Sequence, residues 1–92
     1  MGKFELGKLV VTAGVAKKMS ENLSFGTFMT TSLERFRNGD WGDLCAEDKE
    51  MSDKAVVDGE MIMGAYKHNG LEIWIITEWD RSATTIMFPY ER

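Results

Sequence analysis

The pair Asn69-Gly70 most constrains what this chain can fold into. Two adjacent residues that tolerate positive φ make a two-residue hairpin whose twist matches that of the strands it joins. The flanks agree. Glu60 to Lys67 carries Met61, Ile62, Met63 and Tyr66, and Leu71 to Trp79 reads LEIWIITEW, a nearly continuous apolar run. A strand that is apolar on both faces belongs in the middle of a sheet. Asp80-Arg81-Ser82 turns the chain into a third strand, Ala83 to Phe88, which Pro89 stops because it has no N–H to give a ladder. On the central strand, period two places Ile73, Ile75 and Thr77 on one face and Trp74, Ile76 and Glu78 on the other. One face must lie on helices. The other is left for the N-terminal strand, a loop or a partner, a homodimer being one arrangement.

Upstream, Phe4 to Thr12 reads FELGKLVVT, a strand bounded by Gly7 and Gly14. Val15 to Met19 fits a short helical turn. Ser24 has the character of an N-cap, and Phe25, Phe28, Met29, Leu33 and Phe36 follow at helical spacing until Asn38-Gly39 ends the helix. Thr30, Thr31, Glu34, Arg35 and Arg37 occupy its other face. After a loop at Asp40-Trp41-Gly42-Asp43, a second helix runs from about Ala46 to Asp58, closed by Gly59, with a thin apolar stripe of Met51, Ala55 and Val56. The fold class is therefore α+β: an antiparallel sheet of three C-terminal meander strands plus an N-terminal strand, packed by two main helices. A chain of 92 residues, 43% apolar, suits a single domain over 1–92 with one core.

Charge is unevenly placed. The net charge is −4, but residues 40 to 60 hold eight acids against Lys49 and Lys54, so that segment is −6 and the remainder +2. Solvated acidic helix faces commonly serve solubility alone. An acidic stripe also repels nucleic-acid backbone and suits a basic protein surface. Asp40, Trp41, Glu47, Asp48, Glu50 and Asp53 are the partner-binding candidates on this segment. Direct nucleic-acid binding is disfavoured: Lys3, Lys8, Lys17 and Lys18 make only a small basic patch, without interleaved aromatics.

Chemistry has few footholds. One cysteine, Cys45, excludes an internal disulfide, and the single His68, in the hairpin turn, cannot build a structural zinc site. The spacing of Asp40, Asp43, Glu47 and Asp48 does not match a calcium loop. No phosphate loop, dinucleotide fingerprint or nucleophile elbow occurs. Glu78 and Asp80 form a weak acid/base pair at a strand end. No catalytic residue, cofactor or metal is expected, and no enzyme activity. Met1 to Gly7 is too polar for a signal peptide, and no apolar run is long enough to span a bilayer, so the expected compartment is the cytoplasm. The densest polar group among apolar neighbours is the corner Glu78, Trp79, Asp80, Arg81, Thr84 and Thr85. Arg81 can fork onto a carboxylate of Glu78, Asp80 or Asp40 and lock the turn. Alternatively the corner is a small pocket rimmed by Trp41 and Trp79.

Gly39-Asp40-Trp41-Gly42-Asp43-Leu44 with Glu47-Asp48, and Ile73-Trp74-Ile75-Ile76-Thr77-Glu78 through Asp80-Arg81-Ser82-Ala83-Thr84-Thr85 to Pro89, resemble a family of small bacterial proteins. These are often labelled "plasmid-related" and are carried by plasmids, conjugative elements and phages. The resemblance extends to Phe4-Glu5-Leu6-Gly7 and Thr12-Ala13-Gly14-Val15. Phe36, Ser52, Met61, Gly64 and Trp79 stand where the family pattern has His, Asn, Arg, Ser and Ala, which favours a binding protein over a shared catalytic mechanism. The resemblance implies a mobile-element accessory protein in a bacterial host. It points to a protein that binds a basic host defence effector, most specifically an anti-CRISPR inhibitor of an RNA-guided nuclease. A sponge for a small signalling nucleotide, built on Arg81, the two threonines and tryptophan stacking, and a structural or oligomerising module are the alternatives.

Overall fold

A computed structural model describes residues 3–91; Met1 and Gly2, the first residues of the polar N-terminal stretch, and Arg92 lie outside the described residues. In chain order the elements are β1 (Lys8–Val11), α1 (Ala13–Glu21), α2 (Leu23–Arg37), α3 (Ala46–Asp58), β2 (Ile62–His68), β3 (Leu71–Thr77) and β4 (Ala83–Met87), followed by a 3-10 turn at Pro89–Glu91. The α+β class holds: β2, β3 and β4 form the antiparallel meander and β1 joins it, in the order β1-β4-β3-β2. Because β1 runs parallel to β4, the whole sheet is mixed. Beside the two main helices α2 and α3, the turn expected at Val15 to Met19 extends to the nine-residue α1. No helix among the described residues is long and apolar enough to cross a membrane.

The hairpin forms where Asn69 and Gly70 supply φ of 51° and 78°. His68 is the last residue of β2, opposite Leu71, rather than part of the turn, and its ring stacks on Phe28 at 5.3 Å. Asn22, not Ser24, caps α2. Its side chain accepts from the Phe25 backbone N–H at 3.2 Å, while the Ser24 hydroxyl donates to the same Asn22 oxygen. Asn22 wins because it sits in extended backbone one step before the helix, the geometry a cap requires.

The core lies between the helices and one sheet face. Register aligns Tyr66 with Ile73, and Ile75 with Ile86, and these side chains meet Val15, Phe25, Met29 and Phe36 from α1 and α2. Each fully buried large apolar side chain contributes about 1.5–3 kcal/mol. The helix stripe read from spacing is thus the core face of α2. Strand β3 ends at Thr77, where Thr77 and Thr84 are fully buried. Their hydroxyls are 2.6 Å apart, and Thr84 donates to the Leu6 carbonyl at 2.6 Å, so the proton between the two comes from Thr77. This chain of hydroxyls fastens the N-terminal segment to the end of the sheet.

At the other end, the Glu91 carboxylate accepts from the Thr12 hydroxyl (2.6 Å) and from the backbone N–H groups of Gly14 and Phe88 (both 3.0 Å). A negative charge at the start of α1 meets the positive end of the helix dipole. These bonds, that from Thr12 first, hold the Glu91 carboxyl below its ordinary value.

Two expectations follow. Thr84→Val keeps the shape but strands both the Thr77 hydroxyl and the Leu6 carbonyl, for a loss of about 1–3 kcal/mol, whereas Thr77→Val leaves the bond to Leu6 intact and costs about 0.5–1.5 kcal/mol. Urea unfolding of the two variants should preserve that order. A lowered folded-state value means that the Glu91 contribution is full above the unfolded carboxyl value and disappears as pH falls through the folded one. Stability should therefore decline as pH falls below about 5, with a shallower slope in Glu91→Gln, measured as unfolding free energy against pH.

Candidate functional site

Helix α3 is weakly amphipathic, and that is what leaves it with a free face. Cys45 precedes it in extended backbone without a side-chain cap bond, and Glu47 and Asp48 place negative charge in the first turn, where the dipole favours it. Gly59, at φ 73°, ends it in the left-handed conformation. Its buried residues are Ser52 and Ala55, with Val56 partly buried against the core. Met51, expected in the apolar stripe, is 68% exposed. Ser52 takes the inner position because its hydroxyl is needed there: it donates to the Met63 carbonyl at 2.7 Å and accepts from the Met63 N–H at 3.4 Å.

That bond belongs to a seal along β2. Next along the strand, the Ala65 N–H donates to the Trp41 carbonyl (3.2 Å), and the Ala65 carbonyl accepts from the Asp43 N–H (2.7 Å). Beyond it the Lys67 N–H donates to the Asp43 carboxylate at 2.9 Å. Such bonding quiets an edge strand that would otherwise recruit another chain. It also requires Gly42, whose φ is +72° and where an added Cβ would overlap the Ala65 carbonyl oxygen.

The six partner-binding candidates fall into three environments. Trp41 is a core residue, 3% exposed, packed on Phe4 and Phe36. Its indole N–H donates to Asp53 at 2.8 Å, so Asp53 is tied to the interior by one oxygen. Asp40 pairs with Arg35 through two bonds of 2.8 and 3.3 Å and also accepts from the Gly42 N–H. Arg35 is the chief reason its carboxyl lies below the ordinary range. The Arg35 guanidinium sits 5.2 Å from the centre of the Tyr66 ring, and burial pushes the Tyr66 phenol up. Glu47, Asp48 and Glu50 stand exposed, and none makes an ion pair among the described residues.

Spacing along α3 adds residues that charge alone did not suggest. Glu47, Glu50, Met51, Asp53, Lys54, Val57 and Asp58 line one shallow concavity on the outer side. They recur at three- and four-residue steps, the signature of one helix face. Val57 is 84% exposed, so Met51 and Val57 form an apolar seam flanked by carboxylates. Helical arithmetic on the sequence could have found this seam once Ser52 and Ala55 were recognised as the inner pair. Among the described residues no three His, Cys, Asp or Glu side chains converge as a metal site would need.

The corner is built differently from either expectation. Arg81 pairs with no carboxylate among the described residues. Its Nη1 donates to the carbonyls of Glu60 (2.6 Å), Glu78 (3.2 Å) and Trp79 (3.2 Å), and its Nη2 to that of Ala55 (2.9 Å). The physical reason is supply: the αL cap of α3 and the turn after β3 both point backbone oxygens at this spot, and a guanidinium has donors in a fixed fork. Asp80 instead accepts from the Ser82 N–H at 3.1 Å, and its bonds to Ser82 keep its carboxyl low. Thr84 faces the core, whereas Thr85, paired with Ile76, faces the opposite side of the sheet. Trp41 is in the core and Trp79 is 67% exposed, so the two indoles do not rim one pocket. The chain matches no protein-family model, no curated relative and no solved structure.

Because Arg81 joins the end of α3 to two strand ends, its replacement acts on stability. Arg81→Lys keeps the charge but cannot span carbonyls on both sides, and should cost about 1–3 kcal/mol, while Arg81→Ala costs about 2–4 kcal/mol. Thermal and urea unfolding measure both.

Proposed function

We propose that this chain is a mobile-element accessory protein that binds and inhibits a basic host defence effector, with the outer face of α3 as its contact surface. The observation that carries this reading is that Glu47 and Glu50, without an ion pair among the described residues, line one concavity with the exposed Met51 and Val57. Acids that serve solubility alone do not need an apolar seam between them, whereas a docking face gains affinity from apolar contacts and partner choice from charge. A groove that normally holds nucleic-acid phosphates offers the complementary cations. The family resemblance of the Gly39 to Leu44 and Ile73 to Pro89 segments adds the mobile-element origin. Together they make an anti-CRISPR inhibitor of an RNA-guided nuclease, acting in the bacterial cytoplasm without cofactor or catalysis, the most specific form of the proposal.

The test is a binding and cleavage-protection assay against purified, guide-loaded nucleases. Wild-type protein should bind at least one of them and slow its cleavage. Reversing charge at Glu47, Asp48 and Glu50 should weaken binding about a hundredfold, more than the modest fall in melting temperature from placing cations in the first turn of α3 explains, and Met51→Ala with Val57→Ala should weaken it about tenfold. Raising salt should mimic the first effect more than the second. Protection that survives the charge reversal would reject the acidic face as the contact surface, and failure to bind any such nuclease would reject the inhibitor assignment.

A further inference from the structure

The helices cover one face of the sheet; on the other, Val10 is exposed and Met63, Trp74, Thr85 and Met87 are half-buried, with Ile76 and Ala65 buried among these neighbours. Side chains facing the helices form the core, whereas those on the opposite face are absent from that cluster. Register places Val10, Thr85, Ile76 and Met63 in one row across all four strands, and Met87, Trp74 and Ala65 in the next. Met61, one step before β2 and 42% exposed, extends the same face by strand alternation. No charge lies within those two rows. One-sided sheets ordinarily carry polar residues outward. A contiguous apolar face of this kind marks an interaction surface.

We infer that this uncovered face pairs with the same face of a second copy of the chain, sheet against sheet. The rim charges favour a copy over any strongly charged partner. One end of the face carries Lys8 and Glu78, the other Lys67 and Glu72. Each end is neutral, so two copies related by a twofold axis meet without the repulsion that a net charge of −4 would otherwise impose. Glu72 also accepts from the Trp74 indole N–H at 3.0 Å, holding the ring on this face with its polar atom satisfied. Met61, Met63 and Met87 supply flexible side chains that adapt to one another across a self-complementary interface.

Size sets the strength. Four strands about 4.8 Å apart and about five residues long give a flat footprint on the order of 300–400 Å². Stable complexes bury about 800 Å² per partner, so a footprint of about half that makes this a weak, transient dimer that forms only at high concentration. The partner proposed for α3 is a separate matter, because that helix presents its outer stripe away from the sheet.

Sedimentation equilibrium from about 5 to 500 µM tests the inference, a range that extends to the high concentrations at which a weak dimer forms. The apparent mass should rise from 10.4 kDa toward twice that value. In protein labelled at the methionine methyl groups, dilution should shift the NMR signals of Met61, Met63 and Met87 and leave that of Met51, on α3, in place. Val10→Lys with Met63→Lys should abolish both effects, and charge reversal at Glu47 and Glu50 should abolish neither. A constant monomeric mass over that range overturns the inference. So do dilution shifts that move Met51 and spare the three sheet methionines, an outcome that needs no variant to fold.

Discussion

One guanidinium bonds to the end of α3, the start of β2 and the turn after β3 at once. Arg81 collects carbonyls from Ala55 at the end of α3, from Glu60 before β2, and from Glu78 and Trp79 after β3. Each belongs to a place where regular structure stops, and the Ala55 and Glu78 carbonyls, which already accept from backbone N–H groups, take the guanidinium as a further donor. A cation there sits at the negative end of the α3 dipole, which the helix itself, with no base in its last turn, leaves unanswered. Arg81 reaches them from φ 61°, a conformation unfavourable for a side chain of its kind, so the bonds must outweigh that local strain. The N-terminal segment depends on the same turn. Gly7 passes so close to the Arg81 carbonyl that no Cβ fits, and its approach brings Leu6 to the buried Thr84 hydroxyl.

A second constraint follows from where α3 ends. Held at its C-terminus by Arg81 and at its middle by Ser52, the helix is fixed along the β2 side of the sheet with little apolar area beneath it. Polar bonds and not burial therefore set its position. This frees the outer stripe from any structural duty, and it explains how Met51 and Val57 come to be exposed on a chain that buries its other large apolar stripe efficiently. The seal by Ser52, Trp41 and Asp43 leaves β1 as the sheet edge without such cover among the described residues.

The elements were legible where one signal dominated. Asn69-Gly70, the α2 stripe and the Gly59 stop each name a backbone conformation that few other residues supply, and the hairpin, α2 and α3 appear where those signals put them. What the sequence concealed depends on distant partners. Nothing near Lys8–Val11 announces a parallel pairing with β4, because that register is set by the turn at Arg81 and the hydroxyl chain through Thr84. Asp40, Trp41 and Asp53 read as surface acids and an exposed indole, yet each has a partner that could not be named from spacing alone: Arg35, the Phe4–Phe36 pair, and Trp41 itself. At Arg81 the sequence offered the carboxylates of Glu78, Asp80 and Asp40 as partners, whereas the guanidinium meets backbone carbonyls, since side-chain carboxylates are visible in a sequence and converging backbone oxygens are not.

The geometry also bears on how two weak surfaces combine. The outer stripe of α3 and the uncovered sheet face share no residue and differ in character, one acidic with an apolar seam, the other neutral and apolar. Binding at one therefore need not block the other. A back-to-back pair of sheets would carry two α3 helices on its flanks, and a basic partner with two suitable grooves, or two partners held close together, would then be engaged twice. The second contact in such an arrangement forms at an effective concentration in the millimolar range, so modest contacts combine into tight binding. Two small surfaces used together would in this way reach an affinity that neither reaches alone.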